Sequence, residues 1–153
     1  MSQLEITPFV FSASALLMQD ALPNVWARWS ALSTWQDWDA SLIGTEAHSD
    51  GLELGKRFRV VPKASPSPIL VSVTALVEDC HFTTTATGAT GIISFGHTLK
   101  PASNSAPARV IHTVCALPSD PELFAAHMWE RFQNDVRQSV GNLAHVVEQE
   151  AIA

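Results

Sequence analysis

The sequence predicts an α+β fold: a seven-stranded, curved antiparallel sheet wrapped around a long C-terminal helix, with two short helices after the first strand. Three observations carry this. After the first strand and two short helices, only period-two segments separated by turn residues follow, up to Leu117. The period changes to helical after Ser119 and stays so to the end. That helix has one apolar stripe and the sheet has one apolar face, and the economical way to bury both is against each other.

The first strand is Phe9 to Leu17, with Phe9, Phe11, Ala13, Ala15 and Leu17 on one face and Ser12 and Ser14 on the other. Pro23 then suits the first turn of a helix, and Val25, Trp26, Trp29 and Leu32 follow at helical spacing. Ser33 to Asp39 reads as a second short helix. Six further strands are expected at Ser41–Ala47, Lys56–Pro62, Ile69–Val77, His81–Thr87, Gly91–Leu99 and Arg109–Leu117. Asp50-Gly51, Pro62 to Pro68, Glu78-Asp79, Gly88 to Gly91 and Pro101 to Pro107 supply the turns, and breaks this short favour antiparallel pairing. Ser119-Asp120-Pro121-Glu122 reads as a helix start, with Ser119 capping and Glu122 completing the box. Residues 120–149 are expected to form one unbroken helix, with Phe124, Met128, Phe132 and Val136 facing the sheet.

The whole chain, 153 residues, fits a single domain (1–153) with one core. No stretch approaches the roughly 18 apolar residues of a spanning helix. Met1 to Phe9 contains Glu5 and no basic residue, unlike a signal peptide, and a cytoplasmic location is expected. Nine basic residues stand against fifteen acidic ones, for a formal charge of −6. The only basic cluster, Lys56-Arg57-Phe58-Arg59, would split between two faces of a strand, so nucleic-acid binding is not expected. Cys80 and Cys115 lie in separate strands and read as small buried hydrophobes rather than a disulfide. The sequence leaves room for a homodimer.

The order of elements and several local patterns resemble the START and birch-pollen-allergen superfamily, and within it the polyketide cyclase/dehydratase-like proteins. Pro23-Asn24-Val25-Trp26-Ala27 is similar to the start of that family's first helix. Ser33-Thr34-Trp35-Gln36-Asp37-Trp38-Asp39 resembles the Trp-Asp ending of its second helix. Gly55 sits where the family opens its third strand, His97 precedes Leu99 as in its sixth, and Asn142-Leu143 followed by Glu148 resembles its closing helix. The resemblance implies a helix-grip fold enclosing a cavity for a hydrophobic or aromatic small molecule. It fixes no activity, because the superfamily spans carriers, receptors, cyclases, oxygenase domains and chaperone regulators. The clustered Cys and His ligands of an iron–sulfur domain are absent.

Two residues stand out as chemistry. Ile93, Phe95, His97 and Leu99 share one face of their strand, and Val110, His112 and Val114 share one face of the next. If both faces are concave, His97 and His112 enter the cavity as cross-strand neighbours. Burial would keep them neutral, and neutral imidazoles can act as general acid and base in the cyclisation of a carbonyl-rich substrate. An inward histidine is nonetheless more often a lining or hydrogen-bonded residue. The expected ligand-binding set is Trp35, Phe58, Phe82, Thr84, Phe95, His97, His112, Met128 and Phe132. Trp35 is placed at the cavity mouth and Trp26 and Trp29 in the core. Asp39 reads as a helix cap or as a group orienting a histidine or arginine. No third ligand accompanies the histidines, so neither a metal nor another cofactor is expected. Nucleophile-elbow and phosphate-loop motifs are absent. Three functions remain: a binding module, a cyclase or dehydratase, and a protein-binding regulator with a filled core.

Overall fold

A computed structural model describes residues 7–65 and 67–152. The seven strands are β1 (Phe9–Leu17), β2 (Leu42–Glu46), β3 (Arg57–Pro62), β4 (Ile69–Val77), β5 (His81–Gly88), β6 (Gly91–Lys100) and β7 (Ala108–Pro118). They form one sheet in the order β1-β7-β6-β5-β4-β3-β2, and every pairing is antiparallel. Helix α1 (Leu22–Ser30) and a 3₁₀ turn (Leu32–Asp37) fill the connection from β1 to β2. Helices α2 (Pro121–His127) and α3 (Trp129–Ile152) close the chain. This is the helix-grip arrangement, with α3 packed on β1 and β7 and reached from the other side by α1. Among the described residues no helix is long and apolar enough to cross a membrane.

The second short helix is thus a 3₁₀ turn. The C-terminal helix departs further from expectation, because it is interrupted at Met128 (φ −126°, ψ −35°). Two four-residue bonds still straddle the interruption, Met128 N–H to the Phe124 carbonyl (3.0 Å) and Phe132 N–H to the Met128 carbonyl (3.2 Å). The helix is therefore loosened at one residue without a proline. The cause lies in aromatic packing. Residues five apart lie about 140° apart around a regular helix. Trp129 nevertheless packs beside Phe124, with ring centres 5.9 Å apart, and both meet Phe9 of β1 at 5.4 and 5.1 Å. The local unwinding brings both rings to one side.

The cap also moves by one residue. Asp120, not Ser119, accepts the Leu123 N–H at 3.1 Å. Ser119 is held elsewhere, its hydroxyl donating to the Ala89 carbonyl and its N–H to Thr90. That latch ties the end of β7 to the β5–β6 turn. Gly91 makes the close approach possible: at φ 119° a Cβ would collide with the Leu117 carbonyl and stand 2.7 Å from Pro118 Cα.

The cysteines are free, but Cys80 is exposed at the β4–β5 turn and Cys115 is half-buried, so the buried reading fails for Cys80. Phe58 is buried between exposed Arg57 and Arg59, as alternation requires. The main core gathers Leu17, Leu22, Val25 and Trp29 against Leu99, Val110, Val140, Leu143 and Val147.

Candidate functional site

Inward side chains shrink along β5 from Phe82 through Thr84 and Ala86 to Gly88. Their steady loss of volume toward the β5–β6 turn leaves the sheet unable to fill the space beneath the start of α3. A cavity of about 420 Å³ occupies that space. Its walls are β3 to β7 on one side and Met128, Arg131, Phe132, Asp135, Val136 and Ser139 on the other. Exposed residues Ala64, Thr87, Gly88 and Thr90 also border it, so it opens between the β3–β4 and β5–β6 connections.

The register sets His97 directly opposite His112. Their rings stand 4.8 Å apart, edge to face, and both line the cavity. Phe82 stacks flat on His97 at 4.0 Å, with the planes 2° apart. Trp38 closes on the pair, 5.5 Å from His112 and 6.2 Å from His97. Behind this layer Trp29 packs on both imidazoles, at 5.6 and 5.9 Å. The histidines thus lie in an aromatic belt between the filled core and the cavity.

Burial pushes the His112 imidazolium down to about 3. Burial likewise holds His97 well below the usual histidine range. Repulsion from His112 adds to this, while the Phe82 and Phe95 carbonyls oppose it. Both rings are therefore neutral across the physiological range. Ser139 Oγ lies 2.9 Å from Nδ1 of His112 and 3.2 Å from the Val136 carbonyl, so its hydroxyl has both within reach. Nε2 of His112, Nδ1 of His97 and Nε1 of both Trp29 and Trp38 are buried without a hydrogen-bond partner among the described residues.

Nearer the mouth, Asp39 accepts from the Ser41 hydroxyl (2.6 Å) and N–H (3.1 Å), so it braces the entry to β2 and does not orient a histidine. Burial raises its pKa, while the Ser41 bonds and Lys63 restrain the rise. Across the cavity Asp135 is also raised, first by burial and then by the Asp39 charge, with Arg131 opposing.

Of the residues expected from sequence, the structure brings Trp35, Thr84, Phe95, His97, His112, Met128 and Phe132 to the cavity wall. Phe58 and Phe82 are not on it. Phe58 packs against Trp35 at 5.3 Å, and Phe82 is fully buried behind His97. Large inward rings near the sheet centre are covered by the Trp-rich connection, which the strand pattern does not reveal. Trp35 lies inside and not at the mouth: it is buried and its indole N–H donates to the Trp29 carbonyl at 2.9 Å. Trp38 and Ser139 escaped the sequence reading. Ser139 had a signal, since it falls three residues after Val136 and four before Leu143, a polar group on an apolar stripe. Among the described residues no group of three or more His, Cys, Asp or Glu is placed to hold a metal.

No family model matches the sequence. No curated protein matches it either. Solved structures do match over nearly the full chain. Norcoclaurine synthase from Thalictrum flavum, a point mutant in complex with a transition-state analogue, aligns with a TM-score of 0.70 at 10% identity. The alignment covers 97% of this chain and 99% of that one. Ara h 8.0201 aligns at 0.61 and 13% identity, over 95% of this chain and 99% of that one. A protein from Deinococcus radiodurans aligns at 0.62 and 14% identity, over 96% and 100%. At these identities the likeness establishes the helix-grip fold.

Proposed function

We propose that the protein binds a hydrophobic small molecule in the cavity between the sheet and α3. The cavity itself carries this reading. Its volume of about 420 Å³ falls in the range of small-molecule sites, and its walls are mainly apolar with a few convergent polar groups. A protein-binding regulator with a filled core would have no use for such a space. The transition-state analogue held by norcoclaurine synthase supports a ligand-holding role for this fold, without transferring that enzyme's chemistry.

The acid–base alternative, a cyclase using His97 and His112, is weaker on chemical grounds. Proton transfer works best when the catalytic pKa lies near the working pH. An imidazole whose conjugate acid sits at about 3 is a feeble base at neutrality, although it remains a good hydrogen-bond acceptor.

The test is a fluorescence titration with N-phenyl-1-naphthylamine, a neutral apolar reporter. Saturable binding to one site is expected, together with its loss in Ala86→Trp, which places an indole in the cavity. An absence of saturable binding, or binding indifferent to that block, would overturn the reading.

A further inference from the structure

Two carboxylates reach the cavity without a counter-ion in contact. At the entry to β2, Asp39 takes both of its bonds from Ser41 on Oδ1, and Oδ2 has no partner among the described residues. Across the cavity, Asp135 of α3 makes neither a hydrogen bond nor an ion pair, since the ion pairs among the described residues are all made by Arg28. Lys63 and Arg131 act on these carboxylates only from a distance. The carboxylates also act on each other, because the Asp39 charge helps to raise Asp135. Folding alone does not favour two unpaired carboxylates facing one another across an apolar space. The cavity they share is walled by Trp35, Trp38, Phe95 and Phe132, rings of the kind whose faces attract cations. A third polar group points the same way independently. Thr84, 4% exposed and on the inward face of β5, lines the cavity with a hydroxyl that bonds to no described residue. The sealed, unpartnered polar atoms among the described residues are nitrogens of Trp29, Trp38, His97 and His112. The oxygens of Thr84, Asp39 and Asp135 are not among them, so they keep surface that a ligand can touch.

We infer that the cavity selects an organic cation: a protonated amine on an aromatic or other apolar body, with the ammonium held by Asp39 and Asp135 and the body against the aromatic wall. An ammonium has only donors to offer, and Asp39 Oδ2 and the Asp135 carboxylate are free acceptors, with the Thr84 hydroxyl as a further one. A neutral alcohol of the same shape supplies one hydrogen and leaves both negative charges uncompensated. A carboxylate ligand adds a third negative charge to the two already there. Discrimination is therefore by the sign of charge as well as by shape. The protein's formal charge of −6 attracts any cation weakly, so the cavity has to be separated from the surface in the test. The inference rests on the binding reading above.

Three probes of one shape separate the two claims: 2-naphthylmethylamine, 2-naphthylmethanol and 2-naphthoate, each displacing N-phenyl-1-naphthylamine at pH 7. We expect the amine to bind roughly tenfold more tightly than the alcohol, the scale of one charge-assisted hydrogen bond, and the carboxylate to bind weakest. Asp39→Asn and Asp135→Asn should each weaken the preference for the amine, and the double variant should erase it. Binding of the alcohol should persist in all three variants, which shows that the cavity is intact. Glu148→Gln removes an exposed charge that is not on the cavity wall and should leave the preference as it was. Equal affinity for amine and alcohol, a preference that either single aspartate variant leaves unmoved, or an equal loss in Glu148→Gln would overturn the inference and leave the binding reading standing. Failure of all three probes to displace the reporter, or of the reporter to bind, would remove both.

Discussion

The two halves of the interface between α3 and the sheet behave differently, though one helix supplies both. Toward its C-terminus, Val140, Leu143, Ala144 and Val147 meet Leu17, Leu22, Val25, Leu99 and Val110, and nothing separates them. Toward its N-terminus, Phe132, Asp135, Val136 and Ser139 face Thr84, Ala86, Ile93 and Phe95 across an open cavity. The apolar stripe of the helix runs on through both halves. What changes is the opposing sheet, where the inward side chains of β5 dwindle from Phe82 through Thr84 and Ala86 to Gly88. A cavity in this fold is therefore decided by the partner strand, and the helix contributes the polar exceptions to its own stripe. The cavity end also holds the titrating groups, so stability and pH response should divide along the same line.

The sharpest contrast comes from truncation. Leu143 is fully buried, and Leu143→Ala should cost roughly 3–5 kcal/mol in urea unfolding. Phe132 already borders the cavity, and Phe132→Ala should cost only about 1–2 kcal/mol despite removing a larger group. Equal losses would mean that the cavity is closed in solution.

Acidification should act next most strongly, chiefly through the two histidines of the cavity end, with a further share from His81, whose pKa is also lowered by burial. The folded pKa of each buried histidine is depressed, so its stabilising share is present above the unfolded value near 6.5 and is lost as pH falls below it. Between pH 7 and pH 5 each such histidine should remove about 2 kcal/mol. His112→Gln should abolish one proton's worth of that slope, as read from urea midpoints at both pH values. An unchanged slope would show that His112 titrates normally.

Filling the two halves should give opposite results. Ala144→Leu overpacks the sealed half and should cost roughly 1–3 kcal/mol. Ala86→Leu enters the cavity and should be neutral or mildly stabilising while weakening N-phenyl-1-naphthylamine binding. The smallest effect is expected at Asp39. Folding favours its protonated form, so the stability it supplies at low pH fades as pH rises through its folded value. Asp39→Asn should therefore raise the melting temperature slightly at pH 7, with the gain vanishing below the ordinary carboxylate range. A loss at pH 7 would mean that its bonds with Ser41 outweigh its desolvation.

Sequence patterning placed all seven strands within about a residue or two of their ends, because alternation and turn residues are local signals. It also placed His97 and His112 inward, since a period of two fixes the face once the strand is fixed. The misreadings share a cause. Phe58 and Phe82 alternate inward like any lining residue, and only the covering of the sheet by Trp29, Trp35 and Trp38 turns them into core. The interruption at Met128 follows from Phe9, more than a hundred residues away, drawing Phe124 and Trp129 to one side. No window along the helix contains that partner.

By itself the sequence determined the elements, their faces and the apolar character of what they enclose, because these follow from backbone period and side-chain solubility residue by residue. Only the tertiary structure decided that the sheet and helix leave a hollow at one end, and that Ser139 meets His112 there. A void and a long-range hydrogen bond are properties of how surfaces meet, and His112 and Ser139 stand 27 residues apart in the sequence.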